Sequence, residues 1–301
     1  MRKNNDDDLA RLARILAGRA IGIEFGGGGA RGFAHLGALR AFEELGIKID
    51  MIGGASIGAP IAGMSAQGKL ASECLDLSIK AFSSLIDMTI PLTSMISGKR
   101  ISRTIAEHSA DWDIEDYWLP YFCVSTNLTT AKQVVHRCGN SATAIRSSVS
   151  IPGVLPPVPA NGELLVDGGV LNNVPINIMR EINPSGSVMA FDVAPPRGPT
   201  AKQDYGMSVS GWYQLASRML PWLKPVRAPR VGVVLMQAMM VGSNLLREQM
   251  LQNEMADYYQ NIHVRKVGML DFKEIKRAAR VGYESVIEPL RQWLEKSNRS
   301  D

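Results

Sequence analysis

The stretch IGIEFGGGGARGFAHLGALRAFEELGIKIDMIGGASIG, residues 21–58, decides the fold class of this chain. It holds two strand–turn–helix units in succession. Ile21 to Phe25 is apolar and strand-like, and it runs into Gly26-Gly27-Gly28-Gly29-Ala30-Arg31-Gly32. Ala34, Ala38, Ala41, Phe42 and Leu45 then recur at helical spacing, with Gly46 as the stop. Ile49 to Ala55 is the second strand. Gly54-Ala55-Ser56-Ile57-Gly58 closes it and opens a helix lined by the small residues Ala59, Ala62, Gly63 and Ala66. Two such units side by side place both turns on the carboxyl edge of a parallel sheet, where open α/β sheets bind ligands. A serine hydroxyl and a cradle of backbone N–H groups are thereby set facing one another.

Outward from this stretch, strands and helices continue to alternate. Residues 70–109 read as a helical insertion interrupted near Pro91 and Gly98, and Tyr121 to Ser125 and Gln133 to His136 read as strands. Residues 149–160 are rich in proline and glycine and are expected to be irregular. Leu164 to Asp167 is a short strand ending at Asp167-Gly168-Gly169, and Val188 to Val193 is another. From about residue 198 the pattern turns helical. The last helix is expected to open on a capping box of Asp271 and Glu274, with Ile275, Ala279, Val286, Leu290 and Leu294 as its apolar stripe. The expected architecture is α/β, three layers with a central, mainly parallel sheet flanked by helices.

Upstream, residues 9–19 form a short helix with Leu9, Leu12, Ile15 and Leu16 on one face and Arg11 and Arg14 elsewhere. That pattern suits a helix docked on its own domain, and it also suits one lying on a membrane surface. The domain expectation is a helical extension over 1–19, a core over 20–200, and a helical part of the same domain over 201–301.

Composition narrows the partners. The chain of 301 residues carries a formal net charge of +4 and 46% hydrophobic residues. Its cations are scattered, which argues against nucleic acid, while a mildly basic surface favours anionic lipid. Charged residues occupy Met1 to Asp8, where a signal peptide needs an apolar core. Val231 to Val241, the longest apolar candidate, falls short of the roughly 20 residues that cross a bilayer. Cys74, Cys123 and Cys138 are odd in number and unevenly spaced, unlike a disulfide framework or a zinc site. The expectation is a cytoplasmic protein with peripheral membrane contact as the variant, with no metal and no cofactor. Nothing assigns an oligomeric state.

Gly54-x-Ser56-x-Gly58 alone is a weak motif. A sharp strand-to-helix turn, however, needs flanking glycines and projects its serine from the sheet edge. The glycine run supplies a matching oxyanion hole, because unobstructed N–H groups stabilise the charge that acyl transfer builds on a carbonyl oxygen. The same run also satisfies G-x-G-x-x-G through Gly27, Gly29 and Gly32, with Asp50 downstream. Position argues against that nucleotide-binding alternative. The ribose-binding acid belongs at the carboxyl end of the second strand, whereas Asp50 opens that strand and Ser56 closes it.

A serine hydroxyl needs a base. His35, His108, His136 and His263 are available, and only His263 follows Asp167 in the Ser–acid–His order of α/β-hydrolases. His35 sits within a helix, where packing or capping is the plainer role. Asp167 is the better candidate, at a strand end before Gly168 and Gly169. Burial would raise its pKa and make it a useful base in a Ser–Asp dyad.

In order and spacing, Gly-Gly-Gly-x-Arg-Gly, Gly-x-Ser-x-Gly and Asp-Gly-Gly together resemble the patatin-like phospholipases. Within these, the chain is most similar to the catalytic domain of neuropathy target esterase and its bacterial relatives. Pro91-Leu92-Thr93-Ser94-Met95, Leu155-Pro156-Pro157 and Asp167-Gly168-Gly169-Val170-Leu171-Asn172-Asn173-Val174-Pro175 extend the likeness. So do Asp116 to Phe122, Ser210-Gly211-Trp212 and the stretch from Asp271-Phe272 to Val281-Gly282-Tyr283. The resemblance implies a metal-free serine lipid hydrolase acting on phospholipid or lysophospholipid acyl esters. Its dyad would be Ser56 and Asp167, with Gly54, Gly58, Gly168 and Gly169 as motif glycines. Its oxyanion hole would draw on Gly27, Gly28, Gly29, Arg31, Gly32 and Ile57. The transmembrane anchor and cyclic-nucleotide-binding-like domains of larger relatives are not expected here. A broad carboxylesterase, a lipid acyltransferase, or a non-catalytic nucleotide- or lipid-binding module are the alternatives. Trp212 to Met240 reads as helical core or as a lipid entrance.

Overall fold

In the computed structural model, residues 5–82, 87–109, 112–195, 198, 200 and 203–297 are described. The helices are α1 (Asp6–Leu16), α2 (Ala34–Glu44), α3 (Gly58–Ala66), α4 (Ala71–Phe82), α5 (Lys99–Ser109), α6 (Ser141–Ser148), α7 (Ile176–Ile182), α8 (Gly211–Met219), α9 (Val231–Gln252) and α10 (Ile275–Ser297). The strands are β1 (Ile21–Phe25), β2 (Met51–Ala55), β3 (Tyr121–Asn127), β4 (Lys132–His136), β5 (Val158–Ala160), β6 (Glu163–Asp167), β7 (Ser187–Asp192) and β8 (Tyr258–Asn261). Chain contacts gather into two compact units, residues 1–194 with 242–301, and residues 195–241.

The strands form one sheet in the order β5-β6-β3-β2-β1-β7-β8, with β4 also on β3. β3, β2, β1, β7 and β8 run parallel, as strand–helix alternation dictates. β4, β5 and β6 are antiparallel. The parallel strands β2, β3 and β7 are buried almost throughout and are sandwiched between two cores. One core is built on α2, α3 and α10, with Phe25, Phe42 and Phe191 at its centre. The other lies under α7, with Met179, Phe122 and Val188.

The register around β3 places the strand ends that matter. β4 pairs with Cys123 through Asn127 along one side of β3. β2 and β6 therefore share the other side. β2 pairs up to Val124, opposite Ala55, and β6 takes over at Ser125, opposite Asp167. Two strands thus end head to head on neighbouring rungs.

Four sequence expectations change. Residues 158–160, within the stretch expected to be irregular, form β5 because β6 pairs with them. Beyond residue 198 the chain is not all helical, because β8 adds a short parallel strand beside β7. Four residues with no apolar alternation gave no periodic signal, and pairing with β7 makes them a strand. The last helix has no capping box. Asp271 leads instead into a tight turn at Phe272–Glu274 without a side-chain bond, and Glu274 pairs with Arg277. The N-terminal helix docks by its polar side. Asp8 and Arg11 are buried against each other, and Arg14 forks onto Asp50 at 2.6 Å. Asp50 also accepts the N–H of Ile21, so it clamps the amino edge of the sheet. Ile15 packs on the second core, while Leu9 and Leu16 stay exposed at 58% and 78%.

Glu24 is an exception to the apolar interior. It lies within β1, fully buried, its carboxyl near Phe122 and the backbone of Gly53, and neither oxygen has a hydrogen-bond partner among the described residues. Burial raises its pKa well above the ordinary 4.5, so the folded protein holds it neutral. A carboxyl protonated when folded and ionised when unfolded stabilises fully only below 4.5. That contribution is lost as pH rises through the raised value. Glu24→Met should therefore be more stable than the parent by about 1–3 kcal/mol at neutral pH in urea unfolding. The margin should shrink toward pH 4; a margin unchanged by pH would show that Glu24 is not a buried neutral acid.

Candidate active site

Ser56 leaves β2 in a left-handed conformation, φ 51°, rare for a residue with a side chain. The strained turn into α3 lifts its hydroxyl off the sheet edge, as in a nucleophile elbow. Space explains the flanking glycines. A Cβ on Gly54 would lie 2.5 Å from the backbone of Gly58, and one on Gly58 would lie 2.1 Å from the Phe25 carbonyl oxygen. The Ser56 N–H donates to Ser148 Oγ at 3.0 Å, which ties the turn to the end of α6.

Across the neighbouring rung, Ser56 Oγ donates to Asp167 Oδ2 at 2.6 Å. The other carboxylate oxygen, Oδ1, accepts the Gly169 N–H at 2.7 Å. Both residues are buried, at 6% and 4% exposure. Burial pushes the Asp167 pKa up to about 6, and the two hydrogen bonds hold it from rising further. Gly168 packs on the Val124 carbonyl, and Gly169 sits beside Asn173. Among the described residues no histidine bonds either partner. His35 donates from Nε2 to the Gly26 carbonyl at 2.8 Å and stacks on Phe25, its pKa lowered by burial to about 4. His136 bonds Ser125, and His263 is exposed.

The glycine loop lies directly against the serine. A Cβ on Gly27 would be 2.8 Å from Ser56 Cβ. Its donors divide into two groups. The N–H groups of Gly26, Gly27 and Ala30 are committed to the carbonyls of Phe191, Asn173 and Met269. Those of Gly28, Gly29 and Ile57 meet no acceptor among the described residues. Gly29, at φ 58°, takes the left-handed conformation that turns the loop, and Met269 closes over it. Arg31 points away from a ligand role, its Nε donating to the Val267 carbonyl at 2.9 Å. Gly32 makes room for the Ile57 side chain.

Sequence reasoning missed the residues that hold this loop. Asn173 grips Gly27 at both ends, accepting its N–H and donating from Nδ2 to its carbonyl at 3.1 Å, while Ser243 holds the Asn173 N–H. The signal was the Asn172-Asn173 pair shortly after Asp167-Gly168-Gly169, but contacts across so many residues leave no periodic trace. Ser148 and Ser243 carry no local signal. A narrow apolar cavity opens from Ser56 and Gly29 between α3, α4 and α5. Among the described residues no three His, Cys, Asp or Glu side chains converge as metal ligands, and no helix is long and apolar enough to cross a membrane.

Against known proteins, a family model described as patatin-like phospholipase matches residues 24–180. The chain is 38% identical over 242 residues to human patatin-like phospholipase domain-containing protein 6, covering 77% of this chain and 18% of that protein. It is 39% identical over 235 residues to the neuropathy target esterase sws of Drosophila melanogaster, covering 75% and 16%. It is 34% identical over 307 residues to the lysophospholipase NTE1 of Mycosarcoma maydis, covering 97% and 16%. The chain thus spans less than a fifth of each relative. Among solved structures, VipD of Legionella pneumophila aligns at a TM-score of 0.46 and 15% identity, over 91% of this chain and 67% of that one.

Proposed function

The chain belongs to the patatin-like phospholipase family, and from that premise we propose that it hydrolyses carboxylic esters of phospholipids or lysophospholipids through Ser56 and Asp167. The observation that carries this reading is the buried 2.6 Å hydrogen bond from the Ser56 hydroxyl to Asp167. In the first step Asp167 takes the hydroxyl proton as Ser56 Oγ attacks the ester carbonyl carbon. The carbonyl oxygen becomes an oxyanion held by the unspent N–H groups of Gly28, Gly29 and Ile57. Collapse breaks the bond to the alcohol, which leaves with the proton from Asp167, and an acyl ester remains on Ser56. Water, deprotonated by Asp167, then attacks that ester; collapse releases the fatty acid and Asp167 returns the proton to Ser56 Oγ. An alcohol arriving in place of water gives acyl transfer by the same steps. The dry site favours the dyad, since an aspartate at its ordinary value would be too weak a base at neutral pH.

Peripheral membrane contact belongs to the same reading. The unit of residues 195–241 exposes Trp212, Met219 and Trp222. Its described residues carry Arg218, Lys224, Arg227 and Arg230 against the one acid Asp204. Aromatic and apolar side chains amid cations suit an anionic lipid surface.

Asp167→Asn should stay folded and lose turnover by on the order of 10²–10⁴-fold, and Ser56→Ala should lose nearly all of it. In the parent protein kcat/KM should rise with pH through about 6 and then level off, because the base works ionised. Full activity in Asp167→Asn would reject the dyad. For the membrane contact, the protein should sediment with phosphatidylserine-containing vesicles and less with pure phosphatidylcholine. Trp212→Ala with Trp222→Ala should weaken that binding, and equal sedimentation of parent and variant would contradict it.

A further inference from the structure

The cavity beside Ser56 is laid out along one helix. Pro60, Gly63, Met64 and Gln67 line it from α3 and the residue that follows, at the i, i+3, i+4, i+7 spacing of a single helix face. Ile101, Thr104, Ile105 and His108 line it at the same spacing from α5. The two stripes end together, since Gln67 Nε2 donates to the His108 carbonyl at 3.4 Å. The cavity therefore starts at the serine and runs the length of α3.

Its far end differs in chemistry from its walls. Gln67, His108 and Ser109 line it there, and Tyr117, 7% exposed, reaches it from beside Gly63 with its hydroxyl toward Gln67, Ser109 and Ser141. Between serine and floor the lining is mostly apolar, Phe82 and Phe272 included, and a Cβ on Gly63 would stand 3.2 Å from Ile145 and 3.7 Å from Tyr117. The cavity's volume of about 130 Å³, spread along the length of α3, suits one chain in single file. The eleven residues from Ser56 to Gln67 rise about 16 Å at about 1.5 Å per residue. A methylene chain advances about 1.25 Å per carbon, the zigzag projection of ~1.5 Å bonds. The cavity is thus about a dozen carbons deep. A longer chain presses its methyl end against polar groups that it cannot hydrogen-bond.

We propose that this cavity is a tube that measures the acyl chain: it takes one unbranched chain and sets its length at about a dozen carbons, with Gly63 in its wall at mid-depth and Gln67 and Tyr117 as the stop. This rests on the hydrolase reading above and names the acyl half of its substrate. Each methylene buried along the tube should improve kcat/KM about three- to fourfold, and the gain should cease at the floor. Thr104 stands one turn before His108, as Gly63 stands one turn before Gln67, so both lie at the same depth.

The test is kcat/KM for a series of single-chain p-nitrophenyl esters from C4 to C18. In the parent protein it should climb to about C12 and then stop. Gly63→Val should move the optimum to about C8, and Thr104→Phe, on a half-exposed position, should do the same without loading the α3 packing. Gln67→Ala should move the optimum to longer chains. Parallel binding of C8 to C18 fatty acids to Ser56→Ala protein, read by displacement of a fluorescent fatty acid, reports the tube without catalysis. A length optimum in binding with no turnover in the parent protein would overturn the hydrolase reading and leave the tube standing. Profiles of unchanged shape in all three variants, or binding that ignores chain length, would overturn the tube.

Discussion

The site depends on one register. β2 and β6 share a side of β3, the first ending opposite Val124 and the second at Ser125. Because adjacent rungs are a single residue apart, the residue leaving β2 and the residue closing β6 must meet. Ser56 and Asp167 are those residues, 111 positions apart in sequence and 2.6 Å apart in space. A one-residue slip of β6 would turn Asp167 to the opposite face of the sheet. Asp167 N bonding to the Ser150 carbonyl, and Gly168 pressed on Val124, oppose that slip.

Around this pair the structure spends its hydrogen bonds selectively. Backbone donors that would collapse the glycine loop are tied down by Phe191, Asn173 and Met269, and His35 anchors the carbonyl of Gly26. The donors left over are those that the proposed reaction would use for the charge developing on an ester carbonyl. Desolvation completes the design: it raises Asp167 into the range of a working base, while it lowers His35 and His136 to neutrality. The same physics leaves Glu24 as a buried acid with no partner, a cost to stability with no part in the proposed chemistry.

The parts legible in the sequence are those that local geometry enforces. Glycines where no Cβ fits, apolar runs between glycine turns, and an aspartate before two glycines each state their backbone without help from distant residues. The parallel core and the meeting of Ser56 with Asp167 followed from them. Features set by long-range pairing were not legible. β8 becomes a strand only through β7, and Asn173 acquires its role only by reaching Gly27. The amphipathic pattern of α1 misled because Asp8, Arg11 and Arg14 find buried or bidentate partners, which outweighs the pull of Leu9 and Leu16 toward the core. Asp271 opens the turn that follows it without any side-chain bond to an N–H, a difference that only the backbone around it decides.

The central claim is that Ser56 is the one hydroxyl activated for attack on an acyl carbonyl. Treatment of the folded protein with a fluorophosphonate probe, followed by peptide mapping of the modified residue, tests it directly. The account predicts a single adduct on the peptide containing Ser56, lost in Ser56→Ala and strongly slowed in Asp167→Asn. An adduct on any other serine, or labelling that survives removal of the Ser56 hydroxyl, would contradict it.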